Sequence, residues 1–188
     1  MCRPTYNQEV LYNGYYKGHG LKFQGIITPS GILYLYGPVE GRLSDAEMLY
    51  ESGVLEEMEG NPGFKKRVMV REREIFTPYY LYGDPAYPCR EHIQAPFKGT
   101  VRRGEAIYNT AWARVRIVIE QAFGMVTSLW HSLNFKTQEK TYLVPIGQRY
   151  MVSVILTNIH TCIERSNIVS TYFGTDALVP DLDTYLQD

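Results

Sequence analysis

The longest amphipathic stretch sets the terms for the fold. Between Glu105 and Ser128, Trp112, Val115, Ile119, Ala122 and Val126 recur at three- and four-residue intervals. That spacing draws one apolar stripe along a single helix. Such a stripe has to be covered by a second layer of structure. Glu120 stands beside it, four residues after Arg116. The simplest use of that pair is a surface ion pair worth only about 0.2–0.5 kcal/mol. A second helix is expected from Pro145, a good first-turn residue, to about Arg165.

The covering layer is sought upstream. Leu21–Thr28 alternates as a strand, Pro29-Ser30-Gly31 turns, and Ile32–Tyr36 returns, which predicts a hairpin. Ser44-Asp45-Ala46-Glu47 has the form of a capping box and predicts a short helix ending near Ser52-Gly53. Leu55–Glu59 adds a turn before Asn61-Pro62-Gly63. Asp45 then sits in a first helical turn, where its charge favours the helix dipole. A basic run, Lys65-Lys66-Arg67 with Arg71 and Arg73, is interleaved with Glu72 and Glu74 and leads to the strand Tyr79–Tyr82. That strand runs into Gly83-Asp84-Pro85, leaving the Asp84 carboxylate just past its end. Mixed sheets present reactive groups there, and Gly-Asp-Pro is also an ordinary way to leave a strand. Hairpin, helix, strand, long loop, helix, helix is the order of a mixed α/β domain with helices covering a sheet.

Composition narrows the class. The chain has 188 residues, 45% hydrophobic and 21% charged, with a formal net charge of −1, enough for one domain with a real core. Cys2, Cys89 and Cys162 form no Cys-x-x-Cys pair and follow no secretory signal, which points to a reduced nuclear or cytoplasmic compartment. Met151–Ile159 is too short and too polar to span a membrane. The near-zero charge is unevenly spread. Arg90, Lys98, Arg102, Arg103, Arg114 and Arg116 outnumber Glu91 and Glu105 between Cys89 and Val118. That surplus reads either as a solvated face or as a cationic groove for phosphates. Residues 166–188 form an acidic tail after a domain spanning 1–165.

With these elements in place, the chain resembles the DDE superfamily endonucleases of Harbinger-type transposases. The resemblance runs through Tyr12-Asn13-Gly14-Tyr15, His19-Gly20-Leu21-Lys22-Phe23-Gln24 and Gly37-Pro38-Val39-Glu40-Gly41. Its sharpest parts are Gly83-Asp84-Pro85-Ala86-Tyr87-Pro88 and Arg116-Ile117-Val118-Ile119-Glu120-Gln121-Ala122-Phe123-Gly124, and it closes on Ile155-Leu156-Thr157-Asn158-Ile159-His160. It implies a ribonuclease H-like mixed sheet flanked by helices and a metal-dependent cleavage and strand transfer on DNA. Three carboxylates in that family hold divalent cations, Mg2+ or Mn2+. Two such ions about 3.5–4 Å apart clamp the attacking and leaving oxygens of an in-line phosphoryl displacement. By position Asp84 matches the second carboxylate and Glu120 the third, both catalytic and metal-binding. Asp45 is a secondary metal candidate. Lys98, Arg102, Arg103, Arg114 and Arg116 are the expected DNA-facing cations, with transposon ends or target DNA as the partner and a separate DNA-binding protein alongside.

The departures are as informative. In the family the first carboxylate comes from an Asp-Gly-Thr segment on the first strand, and no Asp precedes Asp45 here. The resemblance thus implies a sheet without its central first strand, leaving Leu21–Thr28 and Tyr79–Tyr82 with unpaired edges or pairing directly. Marginal stability or homo-oligomerisation is then expected. Where the family places a Lys after Gly124, this chain has Met125. The missing acid also supports a second expectation, a catalytically silent module that holds DNA or a partner protein through the same cationic face.

Overall fold

The structure, a computed structural model, describes all residues except Met1, Cys2, Thr5, Arg71, Glu72, 135–143 and Asp188. The expectations placed on Cys2, Arg71 and Glu72 fall outside those residues. In chain order the elements are α1 (Gln8–Leu11), β1 (Tyr12–Asn13), β2 (Gly18–His19), β3 (Leu21–Ile27), β4 (Leu33–Glu40), α2 (Asp45–Glu51) and α3 (Val54–Gly60). There follow β5 (Lys65–Val70), β6 (Arg73–Pro78), β7 (Leu81–Tyr82), β8 (Ile93–Gln94), α4 (Arg103–Leu129), α5 (Ile146–Glu164), α6 (Ile168–Phe173) and α7 (Leu182–Gln187). The class is mixed α/β. Two compact units divide the chain, Met1–Leu43 with Ile117–Asp188, and Ser44–Arg116.

In the first unit β3 and β4 form the expected hairpin, in register from Ile27 opposite Leu33 to Leu21 opposite Glu40. The return strand runs four residues beyond its predicted end at Tyr36. Gly31 turns the chain at φ +86, a left-handed value that favours glycine. Leu33, Ala122, Val126 and Val154 make the core, with Ile27, Leu35, Ile119 and Phe123 packed around them. Ala122 and Val126 are wholly inaccessible, as the stripe on α4 requires. Burying each large apolar side chain contributes about 1.5–3 kcal/mol. Strand and helix meet closely at Gly25, where a Cβ would lie 2.5 Å from Phe123 Cζ.

Helix α5 buries a largely polar face, Ser153, Thr157, Asn158 and Thr161, and each of those groups needs a partner. Thr157 Oγ1 accepts from Trp130 Nε1 at 2.9 Å and donates to the Ser153 carbonyl at 2.7 Å. Asn158 Oδ1 accepts from Leu33 N at 3.0 Å, while its Nδ2 donates to Leu33 O at 2.9 Å and to the Tyr185 hydroxyl at 3.1 Å. Leu33 stands at the end of the hairpin, and one side chain does there what a neighbouring strand would do. Within the acidic segment Asn167 is buried, caps α6 through Val169 N at 2.9 Å, and donates to the Pro29 carbonyl at 2.7 Å. The segment is therefore fastened to the hairpin turn and to α5 instead of trailing as a loose tail.

In the second unit α2 begins with the capping box read from the sequence. Ser44 Oγ accepts from Glu47 N, and Glu47 Oε2 accepts from Ser44 N at 2.9 Å. Those bonds hold the Glu47 carboxyl below its ordinary range. The basic run, expected only to lead into the Tyr79 strand, instead builds an antiparallel hairpin of β5 and β6 from Lys65 opposite Pro78 to Val70 opposite Arg73. An Arg67–Glu74 ion pair crosses it diagonally. The aromatic strand is shorter than expected: Leu81 and Tyr82 pair in parallel with Ile93 and Gln94. Four two-stranded ladders stand where a mixed sheet lacking its first strand, with open edges or direct pairing, was expected, and no strand is shared between them among the described residues. Among the described residues each strand pairs on one side only, without the two-neighbour pairing that defines a sheet interior.

Candidate functional site

Asp84 lies two residues past β7, and the residue before it explains the turn. A Cβ on buried Gly83 would come within 2.9 Å of both Ile93 Cδ1 and Tyr87 Cδ2, so a larger residue there would have to displace those side chains. Asp84 then closes the turn with its own side chain. Its Oδ1 accepts from Ala86 N at 2.9 Å and its carbonyl accepts from Tyr87 N at 2.9 Å. The other carboxylate oxygen, Oδ2, faces Arg116 Nη1 at 3.1 Å. Arg116 also lies over the ring of buried Trp112, 5.7 Å from its centroid. The partners are 28% and 40% exposed, so solvent screens the pair and holds it to about 1 kcal/mol at most.

Tyr87 joins this group. Burial pushes its phenol up to about 12, with the charges of Asp45 and Asp84 adding to the shift and Arg116 opposing it. Asp45, in the first turn of α2, and Asp84, at the end of β7, are therefore electrostatic neighbours of one phenol. Two carboxylates, a guanidinium and a desolvated hydroxyl are gathered from three elements of the second unit. Sequence reasoning gave Tyr87 no role, although its place three residues after Asp84 was the available signal.

Glu120 is exposed on α4, one turn beyond Arg116, in the part of the helix that belongs to the first unit. Lys98, Arg102, Arg103 and Arg114 are exposed in the second unit, as a phosphate-facing role requires. Arg103 and Arg114 are separated by about three helical turns, which puts them on one face of α4 about 16 Å apart. Arg116 differs from these four. It is half-buried, and its charge is directed at Asp84.

A divalent cation wants several hard oxygen donors. Asp45 and Asp84 are donors of the right chemistry, yet Arg116 holds Asp84 Oδ2. Among the described residues, no group of three or more His, Cys, Asp or Glu side chains is gathered to hold a metal ion. As arranged, these residues do not fit a pair of cations. Among them, too, no helix is long and apolar enough to cross a membrane.

Comparison with known proteins gives one result. The sequence profile described as DDE superfamily endonuclease matches residues 2–158. No curated protein and no solved structure matches the chain. The match covers the β3–β4 hairpin, the capping box of α2, the Gly83-Asp84 turn, all of α4 and α5 as far as Asn158. Members of that superfamily are transposase-like nucleases that generally use divalent metals. With most of its length matched, the chain belongs to the DDE superfamily endonucleases.

Proposed function

We propose that this chain is the nuclease domain of a Harbinger-type transposase, built on a ribonuclease H-like plan and directed at DNA. Asp84 and Glu120 are its reacting acids in this reading and Asp45 is an accessory acid; Mg2+ or Mn2+ is the ion the family resemblance implies, although Asp45 and Asp84 as arranged do not fit a pair of them. The observation that carries it is the family match over residues 2–158, together with Asp84 held by its Asx turn at the end of β7. The reaction is hydrolysis at transposon ends followed by strand transfer from the freed 3′ hydroxyl. The protein's own part is to bind phosphates on Lys98, Arg102, Arg103 and Arg114 and to fix the aim of Asp84. A DNA substrate gives it a nuclear place of work, beside a DNA-binding partner protein. Nicking of supercoiled plasmid in Mg2+, abolished by Asp84→Asn or Glu120→Gln, is the expected result. Nicking that survives both substitutions overturns the assignment of those acids.

A second reading is favoured by one specific contact. Arg116 Nη1 faces Asp84 Oδ2 at 3.1 Å, so the carboxylate that would hold an ion is already paired with a guanidinium. On this reading the domain is catalytically silent and binds DNA or a partner through its cations. It predicts no nicking, and salt-sensitive DNA binding that Asp84→Asn and Glu120→Gln leave unchanged.

A further inference from the structure

The basic run from Lys65 to Arg73 has no task in the reading above, and β5 and β6 make an antiparallel ribbon of it. The register is unbroken from Lys65 opposite Pro78 to Val70 opposite Arg73, so facing residues share a side of the ribbon. One side carries Lys65, Arg67, Met69, Glu74, Phe76 and Pro78. The other carries Lys66, Val68, Val70, Arg73, Ile75 and Thr77. The Arg67–Glu74 ion pair, with both partners on the first side, agrees with that division. Both sides reach solvent. Met69 and Phe76 are 63% and 65% exposed on the first, and Val70 and Ile75 are 45% and 42% exposed on the second. The two strands pack chiefly against each other, and contiguous apolar surface left open in this way marks an interaction site.

Charge decides what covers it. Lys65, Lys66, Arg67 and Arg73 stand against Glu74 alone, while Arg71 and Glu72, outside the described residues, add one charge of each sign. Glu74 is engaged by Arg67. The second side therefore has two cations and no acid, and neither Lys66 nor Arg73 makes an ion pair among the described residues. A second copy of the ribbon would bring the same positive surplus and be repelled, whereas a phosphate backbone is attracted. Lys66 and Arg73 stand on opposite strands, four positions apart along the ribbon, or about 14 Å. The major groove of B-form DNA is about 12 Å wide and admits a two-stranded ribbon.

We propose that the β5–β6 ribbon lies in the major groove of duplex DNA with its acid-free side inward. Lys66 and Arg73 reach phosphates on the two rims, and Val70 and Ile75 lie against base edges, where thymine methyl groups offer apolar contact. This site is additional to Lys98, Arg102, Arg103 and Arg114. It rests on the DNA-directed reading above and not on catalysis, since Asp45, Asp84 and Glu120 take no part.

The experiment is a fluorescence anisotropy titration of a labelled duplex of mixed sequence with the full chain, in EDTA to prevent cutting. Lys66→Gln/Arg73→Gln should weaken binding at least about fivefold and make its salt dependence shallower. Arg3→Gln/Lys17→Gln removes the same charge elsewhere and should change neither. A duplex with uracil in place of thymine keeps pairing and charge and loses the methyl groups. It should bind at least about twofold more weakly, and Val70→Ser/Ile75→Ser should erase that difference. Far-UV circular dichroism checks that each variant is folded. Unchanged binding by the folded Lys66→Gln/Arg73→Gln chain, or equal affinity for the thymine and uracil duplexes, overturns this proposal and leaves the DNA-directed reading standing. A wild-type chain that binds no duplex overturns both. Ribbon-dependent binding that is as tight to the single strand assigns the ribbon to unpaired DNA and overturns the groove. Ribbon substitutions that abolish self-association in sedimentation velocity and spare duplex binding assign it to a second copy, which also overturns the proposal.

Discussion

Tyr87 is where the electrostatics of the Asp84 turn become measurable. Its phenol ionises near 12, displaced first by burial and then by the carboxylates of Asp45 and Asp84. Asp84→Asn removes one of those charges and leaves the opposing Arg116 in place, so the Tyr87 pKa should fall. Ultraviolet difference titration of tyrosinate reads this directly. The folded value lies above the ordinary value of 10.0, so the folded state holds this proton more tightly than the unfolded chain does. Its contribution to stability is complete below about pH 10 and is lost as pH rises from there through about 12. Tyr87→Phe should flatten that part of the urea-midpoint profile, and an unchanged slope would show the phenol to be solvated. Asp84 itself was legible in the sequence because a Gly-Asp-Pro turn after an aromatic run marks a strand end. Its partner was not. Arg116 was read either with Glu120 along α4 or as facing DNA, and nothing in a helical spacing discloses a contact with a loop thirty-two positions upstream.

At the level of elements, periodicity and caps spoke clearly. The stripe on α4, the hairpin of β3 and β4, and the capping box of α2 each carry a strong local signal, and each formed close to where it was expected. The β5–β6 hairpin escaped notice for a physical reason. Its strands are charged or exposed on both faces, so no two-residue hydrophobic alternation appears, and the dipeptide between them, Arg71-Glu72, has none of the Gly or Asn that announces a tight turn. The polar face of α5 was equally silent, since Ser, Thr and Asn do not advertise burial. Asn158 tests how much that face matters. Asn158→Ala strips partners from both backbone groups of Leu33 at once and should cost on the order of 2–3 kcal/mol in urea denaturation. Asn158→Asp, which keeps the acceptor and loses the donor, should also destabilise at neutral pH. A loss under about 0.5 kcal/mol for the Ala variant would mean that water replaces the amide readily.

For the whole molecule, charge placement and chain path have separate consequences. If Lys98, Arg102, Arg103 and Arg114 each meet a phosphate, the logarithm of the DNA association constant should fall against the logarithm of salt with a slope of about −3 to −4. Replacing Arg103 and Arg114 together by Gln should reduce that slope by about 2, and fluorescence anisotropy at several salt concentrations measures both. Among the described residues the two-stranded ladders leave strand edges, β3 among them, without a second strand neighbour, so concentration-dependent association is expected in sedimentation velocity. A single monomeric boundary at all concentrations would show those edges to be adequately shielded. The chain path bears on synthesis. Ser44–Arg116 is contiguous and finds its contacts among its own residues, whereas the other unit is assembled from both sides of it. On a ribosome the enclosed unit can therefore mature first, while the early hairpin stands by. Leu33 emerges 125 residues before the amide that completes its bonding, and for that interval its outer edge is open to any chaperone or stray strand that arrives sooner.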